Sequence, residues 1–573
     1  MIMQVYFPLS KQVVLSIFLW LVVIPIFNVA NAQNMAKSHA SAIKTVNSNT
    51  KTIAAPAKPR LVVGIVVDQM RWDYLYRFAN RYASGGFNRL LNEGFSCQNA
   101  FIPYTPTVTA AGHTCVYTGS VPAIHGIVGN NWWNKLTQKN AYCSEDASVN
   151  GVGSNNQNGK MSPKNMLATT IGDELRLATN FKSKVIGIAI KDRGAILPAG
   201  HSANAAYWYD NSTGKWITST YYMNALPTWV ANFNDRNLVD SFYKLNWSTL
   251  YPINTYIQST ADEKAYESKP FGNEQTRFPY NFQNYVGKNW AAINTTPYGN
   301  TFTLALAKEA IRNEQLGKNT ATDMLCVSLS STDYVGHSFG PNSIELEDTY
   351  LRLDADLAAF FSYLDKEVGQ NAYTIFLTAD HGVAHVPGFM KEHQLPGGLA
   401  DDGAWQKQMN NQLKNLFGIN KAIVSMHNYQ VHLNVAQIDS AKVELAVVKK
   451  WIMGFLEKQE AVAQVMDIKE IGNAVLPTKL KEMLSNGYFP SRCGDIQIIL
   501  KPGYIDGGST GTTHGVWAPY DAHIPMLFAG NGIKQGKTHS ETYMTDIAAT
   551  IAALLNIQMP SGCIGKVINE VLK

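Results

Sequence analysis

The chain has 573 residues, a length that fits one large domain with sizeable insertions or roughly three to four smaller domains. With 46% hydrophobic and 16% charged residues, its composition is that of an ordinary globular protein. The net charge of +5 is small for this length and no basic run stands out, so nucleic acid is not an expected partner.

The first 32 residues have the pattern of a secretory signal peptide. Lys11 is the only charged residue among them, an apolar run extends from Val13 to Phe27, and the small residues Ala30 and Ala32 precede Gln33. We therefore expect cleavage after Ala32 and export to the periplasm or out of the cell. An uncleaved membrane anchor is the alternative, but the apolar run is short for a spanning helix. No later stretch is long and apolar enough to span a bilayer, so no anchor is expected after cleavage.

Residues 33–59 are polar, with Ala, Lys, Ser, Thr and Asn, and they predict a flexible leader. Six cysteines follow, and none of them forms a Cys-x-x-Cys pair. Export makes disulfides possible, but the sequence leaves their pairing open. The cysteines are Cys97, Cys115, Cys143, Cys326, Cys493 and Cys563.

Apolar runs and helical patterns alternate along the chain after the leader. The first run, 61–67, ends on Asp68, which is typical of a central parallel strand with a functional residue at its carboxyl end. Similar runs occupy 185–190, 324–330, 373–380 and 524–530, and helical patterns occupy 346–368 and 545–555. We predict an α/β fold with a central, mostly parallel sheet and helices on both faces.

Two regions interrupt this alternation. Residues 205–322 are rich in Tyr, Trp, Asn and Pro, and predict an irregular insertion that caps the substrate pocket. Residues 401–495 combine a helical pattern at 443–457 with alternating strands at 422–435, and predict a small α+β subdomain. The catalytic core would then consist of residues 60–204, 323–400 and 496–573.

The stretch 106–113 predicts a nucleophile at the start of a helix. Thr109 lies where a helical pattern opens, and that pattern continues to Gly119. The free backbone N–H groups at a helix start favour negative charge. A threonine there can attack phosphorus if its pKa is lowered.

Acids and histidines near the ends of the apolar runs predict a metal site. They are Asp68, Asp333 with His337 four residues later, the adjacent pair Asp380 and His381, and His514 in a loop between glycines. We expect Gly336 and Gly382 to let the backbone turn so that these side chains converge. Taken singly, each residue has an ordinary explanation as a turn acid or an exposed turn histidine. Together they lie at one edge of the inferred sheet, and Asp and His are zinc ligands, so we predict two ions.

In this order, the motifs resemble those of the alkaline phosphatase superfamily, and within it the PafA-type alkaline phosphatases exported by some bacteria. The resemblance covers nearly the whole chain after the leader. It rests on Asp68, Pro106-Thr107-x-Thr109, His125-Gly126-Ile127 with Asn130, Lys191-Asp192-Arg193, Asp333-x3-His337, Asp380-His381-Gly382 and His514.

The resemblance implies two zinc ions in each chain. The first would be held by Asp333, His337 and His514. The second would be held by Asp68, Asp380 and His381, with the Thr109 oxygen as a further ligand. A zinc-bound threonine loses its proton more readily, and two metals roughly 4 Å apart clamp both ends of an in-line displacement. The implied reaction is hydrolysis through a phosphothreonine intermediate.

Lys191 and Arg193 indicate phosphate monoesters as substrates. As alternate residues of an extended segment they would point the same way, and an ammonium beside a guanidinium suits a dianionic phosphoryl group. The resemblance implies that Asn130 also donates hydrogen bonds to this group. It further implies that Lys191 replaces the magnesium ion of other members, so we predict no third metal. His125 is expected to support the turn that carries Asn130.

Three other functions compete with this prediction. A phosphodiesterase or nucleotide pyrophosphatase on the same scaffold is disfavoured by Lys191 and Arg193. A sulfatase needs a Cys or Ser in a C/S-x-P-x-R context, which is missing at the nucleophile position. A catalytically inactive, zinc-bearing surface protein is disfavoured because Thr109 and all six expected ligands are present. The sequence leaves the oligomeric state and the physiological substrate open.

Overall fold

The computed structural model describes residues 58–573, so the predicted signal peptide and all but the last two residues of the predicted leader lie outside the described residues. In chain order the strands are β1 Leu61–Val67, β2 Phe95–Phe101, β3 Asn131–Asn134, β4 Lys139–Tyr142, β5 Gly151–Val152, β6 Val185–Ala189, β7 Ala205–Asp210, β8 Lys215–Ser219, β9 Asp323–Leu329, β10 Tyr373–Thr378, β11 Gly398–Ala400, β12 Ile423–Ser425, β13 Gln430–Leu433, β14 Val462–Asp467, β15 Ile496–Leu500, β16 Tyr504–Asp506, β17 Met526–Gly530 and β18 Gly536–Tyr543.

The α-helices of the same described residues are α1 Tyr74–Arg77, α2 Phe87–Glu93, α3 Thr109–Thr118, α4 Pro122–His125, α5 Ile171–Ala178, α6 Asp192–Ala199, α7 Thr228–Asp235, α8 Leu238–Tyr243, α9 Tyr298–Asn313, α10 Ser331–Phe339, α11 Ile344–Leu364, α12 Pro387–Glu392, α13 Asp402–Phe417, α14 Val435–Ser440, α15 Leu445–Leu456, α16 Thr478–Gly487, α17 Pro519–Ala522 and α18 Asp546–Leu555.

The largest sheet has ten strands in the order β18-β2-β17-β10-β1-β9-β6-β7-β8-β5. Its five central strands, from β10 to β7, run parallel, whereas β17 and β8 are antiparallel to their neighbours. Every residue of β1 is buried, as expected for a parallel strand covered on both faces. The predicted α/β fold with a mostly parallel central sheet is confirmed.

The hydrophobic core joins the central strands to long helices. Side chains of β1, β9 and β10 share one buried cluster with residues of α9, α11 and α18. The predicted helices at 346–368 and 545–555 correspond to α11 and α18. The predicted strand at 524–530 corresponds to β17, but it pairs antiparallel with β10. Strand direction depends on the partner, so an apolar run cannot reveal it.

The start of the predicted insertion belongs to the central sheet instead. Strand β7 pairs with β6, and β8 returns antiparallel to β7. The sequence of β7, Ala-Ala-Tyr-Trp-Tyr-Asp, is buried throughout and therefore lacks the polar alternation that marks a half-buried strand. The region between α8 and α9 has short 3₁₀ turns and an aromatic cluster that includes Trp247, Phe271 and Tyr280.

A separate four-stranded sheet, in the order β12-β13-β15-β14, lies in the region predicted as an α+β subdomain. It has a buried cluster of its own, with Met409 and Leu413 from α13 and Ile452 from α15. Strand β15 belongs to this sheet and begins at Ile496, one residue after the predicted end of the subdomain at residue 495.

All six cysteines lie within the described residues, and none of them forms a disulfide. No helix between residues 58 and 573 has both the length and the apolar character that crossing a membrane requires.

Candidate active site

Three neighbouring strands deliver the acidic residues to one edge of the central sheet. Asp68 directly follows β1, Asp333 lies in the first turn of α10 after β9, and Asp380 is the second residue after β10. Since β10, β1 and β9 are adjacent and parallel, their carboxyl ends meet. The predicted edge is therefore where these carboxylates lie.

Two groups of three side chains form there, with ligand atoms within 4.8 Å of one another in each group. The first, called here the His514 cluster, consists of Asp333, His337 and His514. His337 Nε2 and His514 Nε2 lie 3.1 Å and 3.7 Å from Asp333 Oδ1. The two groups contain all six of the carboxylates and histidines expected to bind metal.

The second group, called here the Asp68 cluster, consists of Asp68, Asp380 and His381. His381 Nε2 lies 3.6 Å from Asp68 Oδ1 and 3.4 Å from Asp380 Oδ2. The imidazoles of His381 and His514 stack at a centroid distance of 3.5 Å, so the two clusters are in direct contact.

Backbone carbonyls fix the orientation of all three imidazoles. The Nδ1 atoms of His337, His381 and His514 donate to the carbonyl oxygens of Thr512, Gly382 and Thr107 at 2.7, 2.9 and 2.7 Å. A carbonyl only accepts, so Nδ1 carries the proton and Nε2 keeps its lone pair. Metal-ligating histidines are commonly held this way.

Unpaired carboxylate oxygens show that the clusters suit a cation. Asp68 Oδ1 is buried and accepts no hydrogen bond from the described residues, and Asp380 Oδ2 is buried with His113 Nδ1 3.2 Å away. An unpaired buried oxygen is costly unless a cation binds it. With three imidazole nitrogens nearby, the donor set is the oxygen and nitrogen mixture that zinc takes.

Lys191 lies between the two clusters. Its Nζ is 2.8 Å from Asp68 Oδ2 and 2.5 Å from Asp333 Oδ2. Burial lowers the pKa of this ammonium, but the two carboxylates outweigh burial and raise the pKa above its ordinary value. The lysine therefore stays charged and partly neutralises both clusters.

Burial and neighbouring charges shift the pKa values of Asp68 and Asp333 in opposite directions. Burial, and then the charge of Asp380, raise the pKa of Asp68 well above its ordinary value. Burial also acts on Asp333, but His337 and Lys191 outweigh it and hold that pKa well below the usual range. Burial, and then the two neighbouring histidines, lower the pKa of His514, which keeps it neutral as a metal ligand must be.

Thr109 is the first residue of α3 and is buried, and its Oγ1 lies 3.4 Å from His381 Nε2. The side chain of Asn130 meets the same helix start, because its Oδ1 accepts a hydrogen bond of 2.9 Å from the Ala110 N–H. Because Oδ1 is the acceptor in this contact, the Asn130 amide nitrogen can donate to another group. The Thr109 hydroxyl, the first N–H groups of α3 and the Asn130 amide therefore lie together at the start of this helix.

Arg193 approaches from α6. Lys191 precedes this helix in extended conformation, but Arg193 lies within its first turn, so the predicted extended segment is wrong. Arg193 Nη1 donates to the Tyr142 hydroxyl at 3.1 Å, and Tyr142 in turn donates to Asp192 Oδ1 at 2.6 Å. Arg193 Nε is buried without a partner among the described residues. The Nε–H group of this guanidinium is therefore a donor that no described residue accepts.

Known proteins decide the family. A model of the type I phosphodiesterase / nucleotide pyrophosphatase family matches residues 62–521. Alkaline phosphatase PhoV of Synechococcus elongatus is 54% identical over 90% of this chain and 94% of its own. Alkaline phosphatase PafA of Elizabethkingia meningoseptica is 50% identical over 91% of this chain and 96% of its own. The chain belongs to the alkaline phosphatase superfamily.

The solved structures agree with this enzyme class. The crystal structure of wild-type PafA has a TM-score of 0.89 at 50% identity, and the match covers 91% of this chain and 100% of that one. A PafA variant with substitutions at one Thr, one Asn, one Lys and one Arg gives a TM-score of 0.88 at 48% identity. A protein of Myroides odoratus that is named a calcium-transporting ATPase is also similar, with 53% identity over 90% of this chain and 95% of its own. The matches to PhoV and PafA show that this chain is an alkaline phosphatase of their kind.

Two glycines of this phosphatase leave room for a neighbouring group, and the turn predicted at Gly336 is wrong. Gly336 lies inside α10, so Asp333 and His337 share one helix face and no turn separates them. A Cβ at Gly336 would lie 1.9 Å from Gln69 Oε1, so the glycine makes room for Gln69. A Cβ at Gly382 would lie 2.1 Å from the Tyr520 carbonyl, so that glycine permits a close backbone approach.

Sequence reasoning missed Gln69 as a contact of both clusters. Its side-chain amide donates to Asp333 Oδ1 at 2.7 Å, and its backbone N–H donates to Asp380 Oδ1 at 3.1 Å. The backbone φ of Gln69 is 65°, a value that residues other than glycine rarely adopt. Its place directly after Asp68 was the only available signal.

The remaining histidines near the motifs differ in their contacts. His113, four residues after Thr109 on α3, lies 3.2 Å from Asp380 Oδ2 through its Nδ1. His125 Nδ1 accepts the Ile127 N–H at 3.1 Å, which stabilises the turn before Asn130. His385 contacts Arg71 and Asn342 instead of either cluster.

Proposed function

We propose that this enzyme is an exported, zinc-dependent phosphate monoesterase with Thr109 as its nucleophile. The observation that carries the proposal is the position of Thr109, whose hydroxyl lies at the start of α3 and 3.4 Å from His381 in the Asp68 cluster. Two zinc ions, held by the Asp68 and His514 clusters, would lower the pKa of a bound hydroxyl and neutralise charge on a leaving oxygen.

The residues of the chain then divide the reaction between them. The Thr109 oxygen, after losing its proton to solvent, forms a bond to phosphorus while the bond to the alcohol oxygen breaks. The alcohol leaves with a proton from water, and the product on the enzyme is phosphothreonine. A water molecule then attacks this phosphorus, which releases inorganic phosphate and restores Thr109.

Arg193 and Asn130 would bind the transferred phosphoryl group. A monoester presents two negative charges and a diester presents one, so an additional guanidinium favours the monoester. Lys191 supports the same preference because its charge sits between the two clusters. The substituted PafA variant carries changes at the same four residue types, with the Lys and Arg likewise two positions apart.

The same lysine supports the expectation that no magnesium ion is needed. Its ammonium lies where a third cation would contact Asp68 and Asp333. Export to the periplasm or the medium rests on the signal-peptide pattern that ends at Ala32. Small-molecule phosphate monoesters, without nucleic acid partners, are the proposed substrates.

A phosphodiesterase or nucleotide pyrophosphatase is the second candidate. The family model that matches residues 62–521 carries this name, and the clusters and Thr109 would serve either ester. The two candidates differ in the ester that Arg193, Asn130 and Lys191 would select, which is a monoester for the first and a diester for the second.

The test compares p-nitrophenyl phosphate with bis-p-nitrophenyl phosphate on the mature, zinc-loaded enzyme at alkaline pH. We expect kcat/KM to favour the monoester by several orders of magnitude, and chelation to abolish both activities. Thr109→Ala should remove turnover of the monoester while the protein still binds two zinc ions per chain.

Three outcomes would contradict the proposal. A preference for the diester would favour the second candidate with the same clusters. Near-normal turnover by Thr109→Ala would exclude Thr109 as the nucleophile. Full activity after complete metal removal, verified by elemental analysis, would exclude zinc dependence.

A further inference from the structure

Asp521 lies outside every motif that identifies the site, yet it contacts the loop that carries His514. It is a residue of α17 with 0% exposure. Its Oδ2 accepts hydrogen bonds of 2.9 Å from the backbone N–H groups of both Gly515 and Val516. These residues directly follow His514, so one carboxylate oxygen holds the chain just after a ligand of the His514 cluster.

The same carboxylate reaches the loop that precedes the nucleophile. Thr107 Oγ1 lies 3.5 Å from Asp521 Oδ2 and donates to the Val516 carbonyl at 3.0 Å. The Thr107 carbonyl in turn accepts the His514 Nδ1 hydrogen at 2.7 Å. The loops before Thr109 and after His514 are therefore bound to each other, and Asp521 lies at their junction.

The backbone of α17 fixes a third loop. The Asp521 carbonyl accepts the Gly382 N–H at 2.7 Å, and the Tyr520 carbonyl accepts the Val383 N–H at 3.0 Å. Gly382 directly follows His381, which belongs to the Asp68 cluster. Segments with a ligand from each cluster and with the nucleophile thus meet at one residue.

We propose that Asp521 is a positioning residue that sets the distance between His514, His381 and Thr109. It touches none of the ligand atoms, so it acts through the backbone of these three loops. An alanine would leave the buried N–H groups of Gly515 and Val516 without an acceptor, and the loop would move to find other partners. The activity readout of this proposal rests on the proposed function, whereas the zinc readout does not.

The experiment compares Asp521→Ala and Asp521→Asn with the control Asp354→Ala. Asp354 is also buried, and it accepts two backbone N–H groups, from Ala83 and Phe87, at 2.6 and 2.7 Å. Its removal therefore breaks a similar pair of bonds in a loop without ligands. Zinc is titrated alone into each apoprotein, and kcat and KM are measured for both p-nitrophenyl esters.

For Asp521→Ala we expect kcat and the affinity for one of the two zinc ions to fall by about 10- to 100-fold, as for other residues that support metal ligands. The monoester-to-diester ratio should stay constant because both esters use the same nucleophile. Asp521→Asn retains an oxygen acceptor and should lie closer to the wild type. Asp354→Ala should lose stability but change neither zinc affinity nor kcat of its folded fraction.

Equal zinc affinities and kcat values for the folded fractions of Asp521→Ala and Asp354→Ala would overturn the proposal. If Asp521→Ala does not fold, the proposal is tested with Thr107→Val. This variant removes only the hydroxyl that joins the loop before Thr109 to the loop after His514. Weaker binding of one zinc ion by that variant supports the proposal, and unchanged binding overturns it. A wild type that binds two zinc ions but hydrolyses neither ester would refute the proposed function and leave the zinc comparison valid.

Discussion

Lys191 and Arg193 stand two residues apart and carry the same charge, yet their contacts differ. The Lys191 ammonium is bound to Asp68 and Asp333, so its charge acts between the two candidate metal-binding clusters. The Arg193 guanidinium is anchored by one nitrogen to Tyr142 and keeps a buried Nε without a partner among the described residues. The lysine charge is thus paired with carboxylates of both clusters, whereas the arginine keeps a buried N–H donor that no described residue accepts.

This difference makes Arg193→Ala the substitution that should separate the two kinds of ester. We expect kcat/KM for the monoester to fall by about 100-fold, since hydrogen bonds to charged groups contribute about 1.5–3 kcal/mol. The diester, with one charge fewer, should lose less than about tenfold. Arg193→Lys should recover part of the loss, because it restores the charge without the guanidinium fork.

The exposed Arg236→Ala serves as the control for a general loss of positive charge. Parallel losses on both esters in Arg193→Ala would mean that this residue does not select the monoester.

Helix α10 shows how one element combines two requirements. The i, i+4 spacing of a helix places Asp333 and His337 on one face, where both contribute to the His514 cluster. Gln69 needs the space beside Gly336 to reach Asp333. The helix therefore carries a glycine although glycine is a poor helix former, costing about 1 kcal/mol relative to alanine.

Gly336→Ala should consequently impair the enzyme without stabilising it. The new methyl group would displace Gln69 and remove its hydrogen bond to Asp333, and we expect kcat/KM to fall by about 10- to 100-fold. In a Gln69→Ala background the clash is absent, so the added effect of Gly336→Ala should be much smaller in a double-mutant cycle. The control is Gly454→Ala in α15, where a Cβ meets no atom within 4 Å and stability should rise.

Strictly additive effects of the Gly336 and Gln69 substitutions would contradict this account of the glycine. Thermal denaturation of all four proteins, measured beside the kinetics, separates loss of folding from loss of activity.

At the scale of the whole molecule, buried carboxyl groups make stability depend on pH. Glu345 in α11 is fully buried, and its Oε1 accepts the Tyr280 hydroxyl at 2.6 Å. Burial, and then neighbouring acids, raise the pKa of Glu345 to about 8 and that of Glu267 to about 9. Between about pH 5 and pH 8 the folded protein keeps protons that the unfolded chain releases. The free energy of unfolding therefore falls as pH rises through this window.

Glu345→Gln should flatten this dependence because it has no proton to lose. We expect the variant to match the wild type near pH 5 and to exceed it near pH 9, with a difference that grows by up to about 1.4 kcal/mol per pH unit. Chemical denaturation at several pH values, with excess zinc held constant, provides the measurement. The exposed Glu482→Gln is the control. An unchanged pH slope in Glu345→Gln would refute the raised pKa.

Much of the scaffold follows from local sequence. The run 61–67 and the helical patterns at 346–368 and 545–555 predict elements that the structure confirms, because an apolar run and a 3.6-residue period each act over a few neighbours. Asp68 and Asp380 could be placed at strand ends for the same reason. Strand direction and partners escape such reasoning: the antiparallel pairing of β17 cannot be read from its apolar run, and β7 belongs to the central sheet although the sequence predicts an insertion there.

The residue types of the site were also readable from sequence, since carboxylates and imidazoles at strand ends have a limited chemistry. Only the tertiary structure decided how they are held. Lys191 lies between the clusters, Gln69 fits beside Gly336, and Asp521 joins three loops far apart in the chain. These contacts depend on how separate segments approach one another in space, and no pattern of neighbouring residues encodes that distance.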